Sequence, residues 1–396
     1  MFSRTRKCIV GIGVTAAIAV GGAGSAHAAR DVLEIPALDT DLAAESLLLD
    51  VEHLGDRLVA VGERGHIVYS DDGGDSWTQA EVPVSTTLTG VDFPEGNTDE
   101  GWAVGHSGVI LHSSDGGETW ENQLDGREGI PKLVSLYEER IETKEAEIEE
   151  AEDEDRISDL EWELDDLVYT RDILEEDLDR FGPWQPMLDV WFRDADYGIA
   201  IGAYNLVYRT QDGGETWQAA SDRIDNPDRF HLNEITQVEG GDLYIAGESG
   251  FVYRSTDDGR TWETLEPGYP GSFFGVVGTG DGGVLAYGLR GNVYRSENGD
   301  EWNSVDSGTD RTLNAGDVNA DGEVVIVAND GAVIYSSDGG QSFSEHVRPA
   351  RHSYVGVTLV PDNGLVLVGE KGAVLTDRRG KGQEEDPLTA PEPEPN

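Results

Sequence analysis

The stretch Ser113-Ser-Asp-Gly-Gly-Glu-Thr-Trp120 gathers carboxylates, hydroxyls and an indole within eight residues. Such a set has the groups to ligate calcium, to hold a polar substrate, or only to close a turn. Nearly the same phrase stands at residues 70–77, 210–217, 255–262 and 336–343, with a shortened copy at 296–302. An active site needs one copy, and six near-identical ones mark a part of the frame. The acidic position (Asp72, Asp115, Asp212, Asp257 and Asp338, with Asn298 in the short copy) can accept hydrogen bonds from backbone N–H groups of a turn. The aromatic position (Trp77, Trp120, Trp217, Trp262, Trp302 and Phe343) can cover that turn with apolar area. These residues are read as structural.

Other chemical signatures fail in detail. Gly105-His-Ser-Gly108 is one residue short of a nucleophile elbow and belongs to the repeat. The eight His include no i, i+4 pair of the kind that binds zinc on a helix. Asp317-Val-Asn-Ala-Asp-Gly322 imitates the start of a calcium loop, but Ala328 stands where the loop needs its twelfth-position Glu. A hairpin turn is expected there. The single cysteine, Cys8, precedes an apolar run near the start of the chain, so no thiolate site is expected in an exported product. No catalytic residue, metal or cofactor is assigned. With 79 Asp and Glu, any pair of carboxylates is uninformative, and a glycoside hydrolase or carbohydrate-binding protein stays open as the alternative.

The elements that must carry these turns follow from their spacing. Successive copies lie 40 to 45 residues apart, with one gap of 97 between Trp120 and Trp217. That period is the size of a four-stranded propeller blade. In the second unit, residues 88–93 alternate as an inner strand, and Trp102-Ala-Val-Gly105 is a continuous apolar strand. A Gly-x-x-Gly turn, a third strand, the acidic phrase and a short outer strand follow. The expected fold is all-β, a seven-bladed propeller over residues 29–380, with six blades as the competitor. The seventh unit lacks an outer strand, and residues 32–35 (Val-Leu-Glu-Ile) are expected to supply it and close the ring.

The long gap holds an insert, residues 131–181, with 21 acids, six bases and no Gly. Val134, Tyr137, Ile141, Lys144, Ile148 and Ala151 follow 3-4 spacing, as do Ile157, Leu160, Leu164, Leu167, Arg171, Leu174, Leu178 and Phe181. Two antiparallel helices are expected, turning at residues 152–155, each about 30–35 Å long. The insert leaves after an outer strand, so it shares a face with the Gly-x-x-Gly turns, opposite the acidic phrases. Arg64, His66, His106, Tyr204, Glu248, Arg290 and Lys371 sit in or beside those turns and are the candidate binding residues.

The acidic phrase resembles the Asp box of BNR repeats. The longer unit Gly101–Trp120, GWAVGHSGVILHSSDGGETW, more closely resembles the photosystem II stability/assembly factor family. The resemblance covers nearly all of the chain after residue 28 except the insert. It implies a non-enzymatic scaffold that assists assembly of a membrane or envelope protein complex, with a protein partner and the helical hairpin as an interaction arm. A sialidase would carry Phe-Arg-Ile-Pro, of which Phe192-Arg-Asp-Ala195 matches two letters.

Residues 1–28 read as a Sec-type signal peptide: Arg4, Arg6 and Lys7, an apolar run, then Ala26-His27-Ala28. A periplasmic or otherwise exported protein without a lipid anchor is expected. Cleavage would remove three bases and no acid, moving the net charge from −51 to −54. That acidity argues against nucleic acid and against anionic membrane surfaces. No second apolar stretch is long enough to insert in a bilayer. The Pro- and Glu-rich tail, residues 381–396, is expected to be disordered.

Overall fold

The computed structural model describes residues 31–94, 96–360 and 364–382. The signal-peptide reading and most of the acidic tail lie outside them. Seven antiparallel sheets follow one another along the chain, six of four strands and, among the described residues, one of three. Their inner strands are Leu48–Leu54, Leu88–Asp92, Met187–Phe192, Leu232–Gln237, Phe273–Gly278, Leu313–Val318 and Tyr354–Val360. In every sheet the strands pair in order from the centre outwards, which is a seven-bladed propeller. The second strands, such as Gly101–Gly105 and Val284–Gly288, are buried along their whole length, as their uninterrupted apolar sequence requires.

Each inner strand carries a register shift at the same place, between Leu48 and Asp50 in the first blade and between Tyr354 and Gly356 in the last. One residue per blade is thereby left out of pairing with its own second strand and lies along the central channel. Where that residue is polar it binds the next blade. Asn233 Nδ2 donates to Phe273 O at 2.7 Å and Asn314 Nδ2 to Tyr354 O at 2.7 Å.

The acidic phrases close the turns between third and fourth strands. In the second blade, Asp115 Oδ1 accepts from the Thr119 backbone N–H at 2.9 Å, and Ser113 Oγ accepts from Gly117 N–H at 2.9 Å. Trp120 Nε1 donates to Gly117 O at 3.0 Å, and its ring packs edge-on to Phe93. The carboxylate and hydroxyl bonds recur around Asp72, Asp212, Asp257 and Asp338. Asp317 takes no part in a calcium loop. It ends an inner strand, and residues 319–323 form the turn to Val324–Ala328.

Ring closure differs from the expectation. Residues 32–35 form no strand and do not join the seventh blade. Val32 O accepts from Ser85 N–H at 2.8 Å, Ala37 N–H donates to Val82 O at 3.0 Å, and Leu33 is buried between the first and second blades. The apolar side chain is satisfied there, and among the described residues no other segment supplies an outer strand. The seventh and first blades instead join by packing Val366 and Val368 against Leu48, Val51, Leu58 and Ala60, with Ala43 in the same cluster.

The insert is a helical hairpin, α1 (Gly126–Glu150) and α2 (Glu154–Phe181). α1 begins five residues before Pro131, because Asp125 caps it by accepting from Arg127 N–H at 2.9 Å, and Pro131, the sixth helical residue, has no N–H to donate to Arg127 O. At 1.5 Å per residue the helices are about 37 and 42 Å long, longer than expected. Their inner halves are part of the propeller core. Ile130, Leu133, Val134, Tyr137, Leu167 and Leu174 cluster with Trp102, Tyr208 and Trp217 of the second and third blades. Phe181, read as a seam residue, is instead 59% exposed, since it closes α2 just before Gly182 ends it.

Candidate functional site

Six of the seven turns between second and third strands share one construction. The middle residue lies in the left-handed region, as for Arg64, Ser107, Tyr204, Ser249, Arg290 and Asp330. A glycine or Asn205, also left-handed, follows it. A second constraint explains the glycine. A Cβ on Gly250 would stand 1.6 Å from Tyr269 O, and the equivalent atom on Gly372 would stand 1.8 Å from Ala44 O. These turns therefore lock onto the connection that leads to the next blade. Asn205 replaces the glycine in the third blade, and its Nδ2 donates to Ser221 O at 3.2 Å in that connection. The turns and the interblade connections thus form one face, here called the top face. The start of α1 joins it, because Gly126 lies against Ser107.

Two sectors of the top face differ in chemistry. Over the third and fourth blades it is aromatic. Trp184, just beyond α2, meets Tyr204 edge-on with ring centroids 5.3 Å apart, and Tyr204 meets the His231 ring at 4.6 Å. Glu248 Oε2 accepts from His231 N–H at 2.8 Å and lies 3.3 Å from its Nδ1. Phe230 and Phe251 stack beside them at 5.7 Å. Asn226 holds this loop by bonding Phe230 through both backbone groups, at 2.9 and 3.0 Å. Trp184 and Tyr204 remain 39% and 38% exposed, so the aromatic surface is open to solvent.

Over the fifth, sixth, seventh and first blades the same face carries exposed cations. Arg290, Arg351, Lys371 and Arg64 belong to it, with Arg64 at 3.9 Å from Glu63. Arg311 lies among them but is engaged by Glu345 at 2.6 Å. Glu63, Asp330 and Glu370 stand among these bases on the same turns, so the arc carries mixed charge in a chain of net charge −51.

Of the seven residues proposed from sequence, Arg64, His106, Tyr204, Arg290 and Lys371 are exposed, and Glu248 is half-buried. His66 is not on the surface. It is 4% exposed, and its Nδ1 lies 2.9 Å from Ser46 Oγ, because it follows the turn and points back into the first blade. Trp184, Phe230, His231 and Arg351 were missed. They lie in interblade connections, which carry no repeat signal. Trp184 stands alone between the last helical heptad and the inner strand, and that isolation was the available clue.

The channel through the ring is the second place where functional groups meet. It encloses a cavity of about 820 Å³ lined by the inner strands. Asp50, Glu52, Asp92, Asp189, Glu234 and Asp317 face it. Five of them tie neighbouring blades together. Asp50 accepts from Val91 N–H at 2.9 Å, Asp92 from Phe192 N–H at 2.6 Å, and Asp189 from Ile235 N–H at 2.8 Å. Glu234 accepts from Val276 N–H at 3.2 Å, and Asp317 from Leu359 N–H at 2.7 Å. Burial pushes all six carboxyls up, to about 7 for Asp92 and to about 8 for Glu234. Mutual repulsion adds to this, since Asp50 raises Asp92, Asp189 and Glu234 in turn. Among the described residues no group of three or more acidic, His or Cys side chains is arranged to hold a metal ion. Five of the six channel carboxylates act as interblade ties.

Comparison with known proteins agrees with this architecture. The family model described as photosynthesis system II assembly factor YCF48 matches residues 33–150 and 181–387. A solved structure of YCF48 bound to D1 peptide superposes with a TM-score of 0.58 at 18% identity, covering 87% of this chain and 99% of that one. YCF48 from Cyanidioschyzon merolae gives 0.55 at 15% identity, over 84% and 96% of the two chains. The WD40 propeller domain of Doa1 gives 0.56 at 12% identity, over 86% and 94%. A photosystem II assembly lipoprotein, Ycf48, from Prochlorococcus marinus is 33% identical over 61 residues, 13% of this chain and 18% of its own length. The chain therefore spans about a fifth of that curated relative in the match.

Proposed function

The chain belongs to the photosynthesis system II assembly factor YCF48 family, and on that premise we propose that it is a non-enzymatic scaffold for assembly of a membrane protein complex. The observation that carries this reading is the match of the family model on both sides of α2, so that the propeller as a whole lies within the shared part. The complex of a relative with D1 peptide supports a segment of a membrane protein as the ligand. On this chain the top face has the groups to hold such a segment. Trp184, Tyr204 and His231 offer apolar contact, and Arg290, Arg351, Lys371 and Arg64 offer partners for carboxylates. The signal-like residues 1–28 support export as part of this proposal. Five of the channel carboxylates serve as interblade ties, which favours the scaffold over the glycoside hydrolase alternative.

A photo-crosslinking residue placed at Lys371 and, in a second protein, at Asp115 on the opposite face tests the proposal in the native host. Capture of one membrane-complex subunit from Lys371 but not from Asp115 is expected. Equal capture from both faces, or capture from neither, overturns it.

A further inference from the structure

α2 presents a face that the fold does not use. Leu160, Leu167 and Leu174, with Leu164 and Leu178 beside them, turn towards α1 and the propeller. On the opposite side stand Trp162 and Tyr169, 69% and 63% exposed and seven residues apart, so both lie on one stripe two turns apart. Asp155, Asp159, Asp165, Asp166, Glu176 and Asp177 fall on the same stripe by helical periodicity. None of these six carboxylates forms an ion pair among the described residues, whereas Glu163 beside the stripe binds Lys144 at 2.7 Å. Arg180, near the end of the helix, is the lone base on the stripe.

An exposed indole and phenol among unpaired carboxylates have no role in folding here. Their area is not buried, and their neighbours repel one another. Together they have the chemistry of a cation receptor: aromatic faces attract guanidinium and ammonium groups, and the carboxylates supply the countercharge. The family model passes over this helix, matching to residue 150 and resuming at 181. We propose that the Trp162–Tyr169 face of α2 docks an Arg- and Lys-rich amphipathic segment of a partner protein. This site is separate from the top face and stands whether or not that face binds a peptide. A second copy of the chain is a poor occupant, because the two stripes would bring twelve carboxylates together, and an anionic bilayer is repelled for the same reason.

The test uses the full chain and a labelled 16-residue amphipathic peptide with Leu on one face and Arg on the other. A control peptide has the same composition in scrambled order. Fluorescence anisotropy is read at about 50 mM and 300 mM salt, bracketing the range where exposed charges become screened. The wild-type protein is expected to prefer the amphipathic peptide over the control. W162A/Y169A, which changes no charge and removes no buried side chain, is expected to weaken binding about tenfold at both salt concentrations. D165N/D166N is expected to weaken it chiefly at low salt. Equal binding by W162A/Y169A and wild type, with unchanged helicity and melting temperature, overturns the proposal. So does equal affinity for the two peptides, which would reduce the effect to the net charge of the whole protein. Binding to vesicles containing phosphatidylglycerol, or loss of a dimer in W162A/Y169A, overturns the choice of occupant.

Discussion

Replacing Glu234 by Gln tests the reading of the channel at one atom. Glu234 Oε1 accepts from Val276 N–H at 3.2 Å, and Oε2 accepts from the Tyr287 hydroxyl at 3.3 Å. Glutamine keeps an oxygen for the interblade bond, removes the charge and turns an NH2 donor towards the Tyr287 hydroxyl oxygen. Burial pushes this carboxyl from an ordinary value of 4.5 to about 8. Below about pH 4.5 it is protonated in folded and unfolded chains alike, and the native state has its full stability. As pH rises towards 8 the unfolded chain ionises while the folded one resists, and stability is lost through that window. One factor of ten in proton affinity is about 1.4 kcal/mol, so the upper bound is about 5 kcal/mol. Water in the 820 Å³ channel screens the charge and leaves about 1–3 kcal/mol. Glu234 also raises its neighbour Asp189, so the substitution eases that ionisation too. Thermal unfolding followed by circular dichroism at pH 5 and pH 8.5 gives the answer. Glu234→Gln is expected to match wild type at pH 5 and to melt about 2–5 °C higher at pH 8.5. A variant less stable than wild type by the same amount at both values would show that the carboxyl serves only as a hydrogen-bond partner.

The remaining predictions concern the frame and the top face. Gly250→Ala places a Cβ 1.6 Å from Tyr269 O at a φ of +85°, and is expected to cost about 2–4 kcal/mol, read as a lower urea midpoint. Asp115→Ala removes acceptors for the Glu118 and Thr119 backbone N–H groups and for two hydroxyls, and is expected to cost about 1–2 kcal/mol in the same assay. Addition of millimolar calcium or of a chelator is expected to leave the melting temperature unchanged, because these turns are closed by hydrogen bonds. In acid, Asp72 is held at about 2 by the Ser76 hydroxyl and backbone N–H and by Ser70. Its contribution to stability is therefore expected to persist above about pH 4 and to fade as pH drops towards 2, which Asp72→Asn removes from the acid limb of a pH–melting curve.

The period of the acidic phrase was enough to read the blade count and the place of the hairpin, because a turn that must bind its own backbone tolerates few sequences. Ring closure was not readable. Residues 32–35 have strand composition, but composition does not say which edge they meet, and Leu33 found a buried site between the first two blades. His66 was assigned to the surface by its place beside a turn, whereas one residue of offset in a strand reverses its direction. The channel carboxylates were hidden by the abundance of acids. Aligning the inner strands would have exposed three of the six, since Leu48-x-Asp50, Met187-x-Asp189 and Leu232-x-Glu234 share one position that is Gly or Ala in the other blades. The aromatic sector arose from two separate connections and two repeat turns, a juxtaposition that only the closed ring creates.

The central proposal is that the top face holds a segment of a membrane protein. Its direct test is calorimetric titration of the full chain with the D1 peptide segment held in the solved relative. Wild type is expected to bind with one-to-one stoichiometry, and Tyr204→Ala combined with Arg290→Glu and Lys371→Glu to weaken binding at least tenfold with an unchanged melting temperature. Binding by that variant equal to wild type, or no heat from wild type at any peptide concentration, would contradict the account.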